Sequence, residues 1–219
     1  MKKARLIDKG IPVGNWYDKY KTKNPIGRYL VARFLETIKE NIISITEPIS
    51  SILEIGCGEG FLASYINSFG IASVEACDFS ETIINVARNN FAGSNINFFA
   101  KDIYDFKESD MKDLIICCEV LEHLEYPEKA LKNLVDISGK YCLLSVPNEP
   151  LWRFLNLGRF KYIAQFGNTP GHINHWSSKE FCSLVSKYFD IMKVNNPLPW
   201  TVVLCKRQRN KRKILENEE

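Results

Sequence analysis

The stretch Ser51-Ile52-Leu53-Glu54-Ile55-Gly56-Cys57-Gly58-Glu59-Gly60 decides the fold of this 219-residue chain. Its apolar first half is typical of a strand buried in a parallel sheet. Three glycines at alternate positions then allow a sharp turn of the backbone, because glycine has no Cβ to obstruct it. A helix is expected to begin at Phe61, so the turn presents a ligand to a helix N-terminus. Strand, turn and helix together predict a nucleotide-binding crevice.

The same stretch resembles motif I of the class I methyltransferases that use S-adenosylmethionine (SAM), whose pattern is hydrophobic-Asp/Glu-hydrophobic-Gly-x-Gly-x-Gly. A pyrophosphate-binding loop would instead read G-x-G-x-x-G. Phe61 stands where the third of those glycines would be. Glu54 and Glu59 would repel a pyrophosphate, whereas they suit a ligand that carries an ammonium and a sulfonium. A nicotinamide oxidoreductase is therefore the disfavoured alternative.

Length and composition indicate one cytoplasmic α/β domain. The chain is 45% hydrophobic and 25% charged, with a net charge of +3, which is ordinary for a globular protein. No apolar run approaches the roughly 20 residues that span a bilayer, and the basic N-terminus lacks the apolar core of a signal peptide. The seven cysteines include no CxxC pair, so neither a zinc site nor a disulfide framework is indicated. A reducing cytoplasm is the expected location.

Two later strand-like runs each end in an acidic residue. Asp78 lies about 20 residues beyond the glycine loop, where a carboxylate accepts both hydroxyls of a ribose, and Phe79 is suited to lie against an adenine. The methyltransferase resemblance implies that Asp102 accepts a hydrogen bond from the adenine amino group, beside Ile103. The alternatives are a solvated strand-end aspartate at position 78 and a helix cap or turn residue at position 102.

Strand-like and helix-like patterns alternate along the chain. This alternation predicts an α/β, Rossmann-like, doubly wound sheet. The resemblance implies seven strands, mostly parallel with an antiparallel last strand, in the order 3-2-1-4-5-7-6. It also divides the chain into an N-terminal arm and helix over the cofactor (1–50), the SAM-binding domain (51–206) with a lid insertion (149–176), and a basic and acidic tail expected to be disordered (207–219).

The fourth strand leads directly into Glu119-Val120-Leu121-Glu122-His123. On a helix, Glu119, Glu122 and His123 would share one face, at the sheet edge where open α/β folds bind ligands. The E-x-x-E-H pattern resembles the ubiquinone-biosynthesis O-methyltransferases, in which these positions hold a divalent cation. It also resembles the small-RNA 3′-terminal 2′-O-methyltransferases, in which two Glu, this His and a later His bind a metal. A cation such as Mg²⁺ on these three residues is one interpretation, and bracing of the loop without a metal is the other.

The other two histidines, His172 and His175, follow in Gly171-His172-Ile173-Asn174-His175-Trp176. Methyl transfer to a hydroxyl requires a base that titrates near neutral pH, as an imidazole does. His123, His172 and His175 are therefore the candidate catalytic residues, with His123 first. A metal would do the same work by lowering the pKa of the hydroxyl.

Two further segments are rich in aromatic residues. The insertion 151–166 mixes bulky apolar residues with Arg153, Arg159 and Lys161. It is expected to lie on a membrane surface, to line a pocket for an apolar acceptor, or to pack on the domain itself. Near the N-terminus there are three aromatic residues that either cap the cofactor or pack on the domain: Trp16, Tyr17 and Tyr20.

The sequence therefore predicts a cytoplasmic enzyme, peripheral to a membrane at most, that moves a methyl group from SAM to an oxygen of a small, apolar or lipid-like acceptor. The residues expected to bind SAM are Glu54, Gly56, Cys57, Gly58, Asp78, Phe79, Asp102, Ile103, Cys118 and Glu119. One alternative is an RNA 2′-O-methyltransferase with a metal at the E-x-x-E-H site, for which the basic run 206–213 would contact RNA. Nucleic acid is the less favoured partner, because such a run is more often a solvated tail. The other alternative is a SAM-binding scaffold without catalysis.

Overall fold

Seven strands form one mixed β-sheet in the computed structural model, which describes residues 7–8, 11–12, 20–158, 166–169 and 171–208. The strands are β1 Ser51–Ile55, β2 Ser73–Asp78, β3 Asn97–Ala100, β4 Lys112–Cys118, β5 Ser138–Pro147, β6 Phe189–Asn195 and β7 Trp200–Arg207. Their spatial order is β3-β2-β1-β4-β5-β7-β6. Strands β1 to β5 run parallel, and β7 is antiparallel to both β5 and β6. The predicted fold class and strand order are confirmed.

Helices connect the strands and cover both faces of the sheet. They are α1 Pro25–Ile43, α2 Phe61–Asn67, α3 Glu81–Asn90, α4 Pro127–Ile137, α5 Leu151–Gly158 and α6 Ser178–Ser186. Short 3-10 turns occupy Ile103–Asp105, Glu108–Asp110 and Leu121–His123. Two-residue strands, Ile7–Asp8 and Ile11–Pro12, pair with each other outside the main sheet.

Local capping residues explain where several helices begin. The side chain of Asn24 accepts hydrogen bonds from the backbone of Ile26 and Gly27 and starts α1. Ser177 and Glu180 form a capping box at the start of α6. Ser80 stands at the N-cap position of α3, but its side chain makes no capping hydrogen bond.

The sheet separates two hydrophobic cores. One core packs α1, α2 and α3 against the face that carries Trp200, and the other packs α4 and α6 against the opposite face. Strand β4 is fully buried from Leu114 to Cys117, which explains its uninterrupted apolar sequence. Each large apolar side chain so buried contributes roughly 1.5–3 kcal/mol to folding.

The strand-borne cysteines behave as small apolar side chains, as the sequence predicts. Cys77, Cys117, Cys118, Cys142 and Cys205 are buried free thiols. Burial raises the pKa of Cys142 to about 12. Burial also raises the pKa of the Cys77, Cys117 and Cys205 thiols, so these three and Cys142 remain protonated and unreactive near neutral pH.

The parallel strands bring their carboxyl ends to one edge of the sheet. Gly56 follows β1, Phe79 follows β2, Glu119 follows β4, and Asn148 follows β5. In open α/β sheets this edge is where ligands bind. Helix α1 reaches the same part of the molecule, because its Phe34 packs on Trp200 with ring centroids 4.8 Å apart.

Candidate active site

The glycine loop after β1 is held tightly against its neighbours. Gly56, Gly58 and Gly60 have φ values of 77°, 53° and 84°, which side chains disfavour. The N–H groups of Gly56 and Cys57 both donate to the carbonyl of Cys77, at 2.8 and 2.9 Å. A Cβ at Gly56 would lie 2.2 Å from Cγ2 of Val120. The loop is therefore packed against the segment that follows β4, and position 56 requires glycine.

Asp78, the last residue of β2, turns its carboxylate towards this loop. Its Oδ2 accepts a hydrogen bond from the N–H of Gly58 at 3.1 Å, and its Oδ1 accepts one from the N–H of Ser80 at 3.3 Å. Asp78 is only 8% exposed. Burial raises the pKa of its carboxyl, although the backbone N–H donors partly oppose that rise. Contact of this carboxylate with the ribose of SAM stays a prediction.

Negative charge surrounds the phenol of Tyr20 beside the loop. The Tyr20 ring stacks on Phe61 with centroids 5.2 Å apart. Burial raises the pKa of Tyr20 well above its ordinary value, and Glu54, Cys118, Glu119 and Glu59 raise it further. Glu54 itself is 3% exposed. This acidic environment fits the ammonium and sulfonium of SAM and would repel a phosphate.

The predicted adenine-binding residues lie just beyond the ends of β3 and β2. Oδ1 of Asp102 accepts a hydrogen bond from the N–H of Tyr104 at 3.0 Å and caps the 3-10 turn Ile103–Asp105. This is the turn-forming role named above as the alternative. Because the capping bond uses one of two carboxylate oxygens, contact of Asp102 with the adenine amino group stays a prediction. Ile103 is buried and Phe79 is half-buried.

Glu119 does not share a helix face with Glu122 and His123, so that expectation is wrong. The segment after β4 forms a single 3-10 turn, Leu121–His123. Glu119 precedes this turn and has a left-handed φ of 60°. Oε2 of Glu119 accepts a hydrogen bond from Nε1 of Trp200 at 2.7 Å, across 81 residues of sequence. Glu119 is therefore fixed by strand β7, outside the cluster of metal-ligating types described next.

Glu122, His123 and His172 form a compact cluster at the carboxyl edge of the sheet. One ligand atom from each residue lies within 4.8 Å of the other two. Glu122 and His172 are 1% and 8% exposed, whereas His123 is exposed. The two imidazole rings meet edge to face with centroids 4.8 Å apart. This set differs from the predicted metal ligands because His172 stands in place of Glu119.

The tautomer of His123 follows from its hydrogen bond. Nδ1 lies 2.8 Å from the carbonyl oxygen of Gly171. A carbonyl only accepts, so Nδ1 carries the proton and Nε2 carries the lone pair. Nε2 is therefore the nitrogen that would accept a proton or coordinate a metal.

Backbone bonds join the two sequence segments that supply the cluster. The carbonyl of Glu122 accepts from the N–H groups of Ile173 and Asn174, at 2.9 and 3.0 Å. The Asn174 side chain donates to the carbonyls of Leu121 and Leu124, at 3.2 and 2.6 Å. The 3-10 turn is thereby clamped to the segment after the insertion. Asn174 was not predicted from the sequence.

His175, the third candidate base, lies beside this cluster and contacts Asn168. Its Nε2 is 2.8 Å from Oδ1 of Asn168. Burial lowers the pKa of His175, and the charge of Arg153 lowers it further. The structure therefore brings His123 and His172 together and gives His175 a different hydrogen-bond partner.

Helix α5, the helical part of the insertion that the structure describes, borders the cluster. Nε1 of Trp152 donates to Oγ1 of Thr169 at 2.8 Å. The Trp152 ring stacks on His172 and tilts against Trp200, with centroids 6.1 and 5.9 Å away. Among the described residues, no helix is long and apolar enough to cross a bilayer.

Part of what was predicted lies outside the described residues. These positions are Trp16 and Tyr17 of the arm, Arg159 and Lys161 of the insertion, and residues 209–219 of the tail. The division into arm, domain, lid and tail stays a prediction. The same holds for the individual roles of the site residues.

Comparison with known proteins agrees with the geometry. A family model described as a methyltransferase domain matches residues 21–188. The ubiquinone biosynthesis O-methyltransferase of Coxiella burnetii (strain Dugway 5J108-111) is 30% identical over 174 residues, which cover 70% of this chain and 73% of that protein.

Solved methyltransferase structures share the fold. Magnesium protoporphyrin IX methyltransferase from Synechocystis PCC 6803, with bound SAH, has a TM-score of 0.63 at 17% identity and covers 85% of this chain and 89% of its own. The N-methyltransferase NodS from Bradyrhizobium japonicum WM9, in complex with S-adenosyl-L-homocysteine, has a TM-score of 0.64 at 17% identity. That match covers 89% of this chain and 94% of NodS.

The family match extends over the glycine loop, Asp78 and the Glu122–His123 turn. The acidic surroundings of that loop suit SAM, and the sheet has the strand order of the fold that binds it. The chain belongs to the methyltransferase-domain family and is a SAM-dependent methyltransferase.

Proposed function

We propose that this enzyme methylates a hydroxyl oxygen of a small, apolar or lipid-like acceptor, such as a substituted phenol. The observation that carries the proposal is the Glu122–His123–His172 cluster, whose ligand atoms lie within 4.8 Å of one another. Glu122 and His123 belong to the 3-10 turn that begins directly after Val120, whose side chain packs against Gly56 of the glycine loop. The name of the Coxiella relative supports oxygen as the methylated atom.

The residues around the loop are proposed to hold the methyl donor. SAM supplies a methyl group on a positively charged sulfur. Glu54 and the loop 56–58 would bind the amino-acid end, Asp78 the ribose, and Asp102 the adenine. Alignment of the acceptor oxygen with the methyl group, together with exclusion of water, would provide most of the rate gain.

His123 is proposed to accept the proton of the acceptor hydroxyl at Nε2. That nitrogen carries the lone pair, since Nδ1–H donates to the Gly171 carbonyl. The ring is exposed, so an acceptor can reach it. The buried carboxylate of Glu122 would stabilise the imidazolium that forms, as an acidic partner does in other acid–base pairs.

The same three groups fit a divalent cation. One carboxylate and two imidazoles are a common ligand set for such ions. A cation on Glu122, His123 and His172 would lower the pKa of the acceptor hydroxyl. Glu119 is not part of this ligand set, and its carboxylate accepts a hydrogen bond from Trp200.

Exposed apolar side chains on the chain segments that supply or border the cluster favour an apolar acceptor. Ile173, adjacent to His172, is 57% exposed, and Phe166 is 81% exposed. Leu155 on α5 is also exposed, one turn from Trp152. The same side chains are suited to contact with a membrane surface from which a lipid-like acceptor would be taken. The basic run that motivated the RNA alternative lies mostly outside the described residues, so that alternative is kept as an outcome of the experiment.

An untargeted labelling experiment tests this function. Cell lysate is incubated with methyl-labelled SAM and either the wild-type protein or the His123→Ala variant, and the label is measured separately in solvent-extractable material and in RNA. We expect wild-type-dependent label in the solvent extract, bound through oxygen. Label in RNA would overturn the small-acceptor proposal. SAM binding without any labelled product would indicate the non-catalytic scaffold.

A further inference from the structure

The segment that carries His172 is organised around the side-chain amide of Asn168. Nδ2 of Asn168 donates to the carbonyl oxygen of His172 at 3.2 Å. Oδ1 of the same amide lies 2.8 Å from Nε2 of His175. A carbonyl only accepts, so the NH₂ group must face His172 and the amide oxygen must face His175. Nε2 of His175 therefore carries a proton and donates it to this bond.

His172 is held from its other side by the preceding residues. Its N–H donates to the carbonyl of Thr169 at 3.1 Å. Thr169 in turn accepts a hydrogen bond from the indole of Trp152 at 2.8 Å. The imidazole of His172 stacks on Trp152 and meets the ring of His123 edge on. Both backbone polar groups of His172 are thus fixed within one short segment.

His172 differs from its partners in what supports it. Glu122 and His123 belong to a 3-10 turn, whereas His172 belongs to neither a helix nor a strand. A loop-borne side chain depends on its supporting hydrogen bonds for its position. The Asn168 amide has two bonding groups, and only His175 fixes its oxygen end among the bonds described above.

We propose that His175 is a positioning residue that orients the Asn168 amide and thereby sets His172 beside His123. The inference rests on the proposed function only in giving His172 a role at the acceptor site. It assigns His175 no contact with the acceptor or the methyl donor. This role accounts for the hydrogen bond of His175 to the Asn168 amide. The low pKa of His175 keeps its ring neutral at physiological pH, consistent with a permanent structural tautomer.

To orient the Asn168 amide, residue 175 must place a hydrogen-bond donor where Nε2 of His175 lies. Glutamine places an amide NH₂ close to the Nε2 of histidine, so His175→Gln should retain the bond to Asn168. Asparagine has a shorter side chain, so His175→Asn should lose it. These two polar variants differ chiefly in whether the donor reaches Asn168.

The test uses the 219-residue chain, whose sequence has three histidines. A long-range ¹H–¹⁵N correlation spectrum then contains three imidazole patterns and reports the tautomer of each. In the wild type we expect His175 protonated on Nε2 and His123 protonated on Nδ1. His172 signals should remain at their wild-type shifts in His175→Gln and should move or broaden in His175→Asn.

Activity in the labelled-SAM assay gives the second readout. A displacement of about 1 Å in a catalytic group costs on the order of 100-fold in rate. We expect turnover to fall roughly 10- to 100-fold in His175→Asn and to stay within about threefold in His175→Gln, with unchanged SAM affinity in both. A wild-type His175 protonated on Nδ1, or His172 signals in His175→Asn that match the wild type, would overturn the inference. The spectrum needs no acceptor, so failure of the proposed function would appear separately, in the labelling assay.

Discussion

The indole Nε1 of Trp200 donates a 2.7 Å hydrogen bond to Oε2 of Glu119, which joins the first residue of β7 to the residue that follows β4. Trp200 is 4% exposed and packs on Phe34 of α1. Glu119 holds a left-handed backbone conformation at this point. A single bond therefore couples α1, the antiparallel edge of the sheet and the entrance to the Glu122–His123 turn.

Replacement of Trp200 by Phe tests this coupling. The substitution keeps an aromatic ring but removes the N–H donor from the partly buried carboxylate of Glu119. Loss of a partner to a buried polar group costs about 1–3 kcal/mol. We expect a matching fall in the free energy of unfolding, measured by urea denaturation, and weaker binding of SAM by calorimetry. Trp176→Phe, in a ring that packs on Phe181, is the control for loss of ring size. Equal effects of the two substitutions would show that the hydrogen bond contributes nothing.

Replacement of Gly56 by Ala should destabilise the protein more than the same change at Gly70. Both glycines have positive φ, 77° and 65°, so each substitution carries a backbone strain of about 1–3 kcal/mol. Only at Gly56 would the added Cβ meet a neighbour, Cγ2 of Val120 at 2.2 Å, since nothing lies within 4 Å at Gly70. Thermal unfolding measures the difference. If Gly70→Ala lowers the stability as much as Gly56→Ala does, the packing of the glycine loop against Val120 contributes nothing to stability.

Binding of SAM should weaken as the pH falls through the raised pKa of Asp78. Burial is the main cause of that rise, so the carboxyl takes up a proton at a higher pH than an ordinary aspartate. The protonated form accepts ribose hydroxyls poorly, and we expect affinity to fall about tenfold per pH unit below that pKa. Calorimetry from pH 7.5 downwards measures this. Asp78→Asn should bind weakly at every pH, and an Asp190→Asn control on the exposed edge strand should retain the wild-type profile. An unaltered pH profile in Asp78→Asn would assign the effect to another group.

Removal of the His123 imidazole should separate catalysis from cofactor binding. General bases typically contribute 10²- to 10⁴-fold to rate, so we expect His123→Ala to lose turnover on that scale. Its SAM affinity should stay within about twofold of the wild type, because His123 is proposed to contact the acceptor and not the methyl donor. Lys179→Ala, at an exposed position on α6, serves as the control. Full turnover in His123→Ala would exclude His123 as the base.

The features that the sequence predicted well are those with local signals. The glycine loop, the acid that ends β2 and the acid two residues beyond β3 each belong to a short stretch of sequence. The strand order followed from the family resemblance and not from spacing. The error at Glu119 arose because a helical period was assumed across a residue whose φ is 60°, a conformation that Glu rarely adopts.

The features that the sequence did not predict depend on distant contacts. Trp200 reaches Glu119 across 81 residues, and Gly171 reaches His123 across 48. Asn168 and Asn174 act through side-chain amides that bond to backbone carbonyls. An isolated Asn or Trp carries no local pattern that would identify such a partner. Only the grouping of all three histidines near one site was accessible beforehand.

A crystal structure of the protein with S-adenosylhomocysteine, the product of the methyl donor, tests the central claim most directly. We predict that the ligand lies across the loop 56–58, with its ribose hydroxyls on the carboxylate of Asp78 and its sulfur facing the Glu122–His123–His172 cluster. Ligand density at any other place, or an Asp78 carboxylate turned away from the ribose, would contradict it.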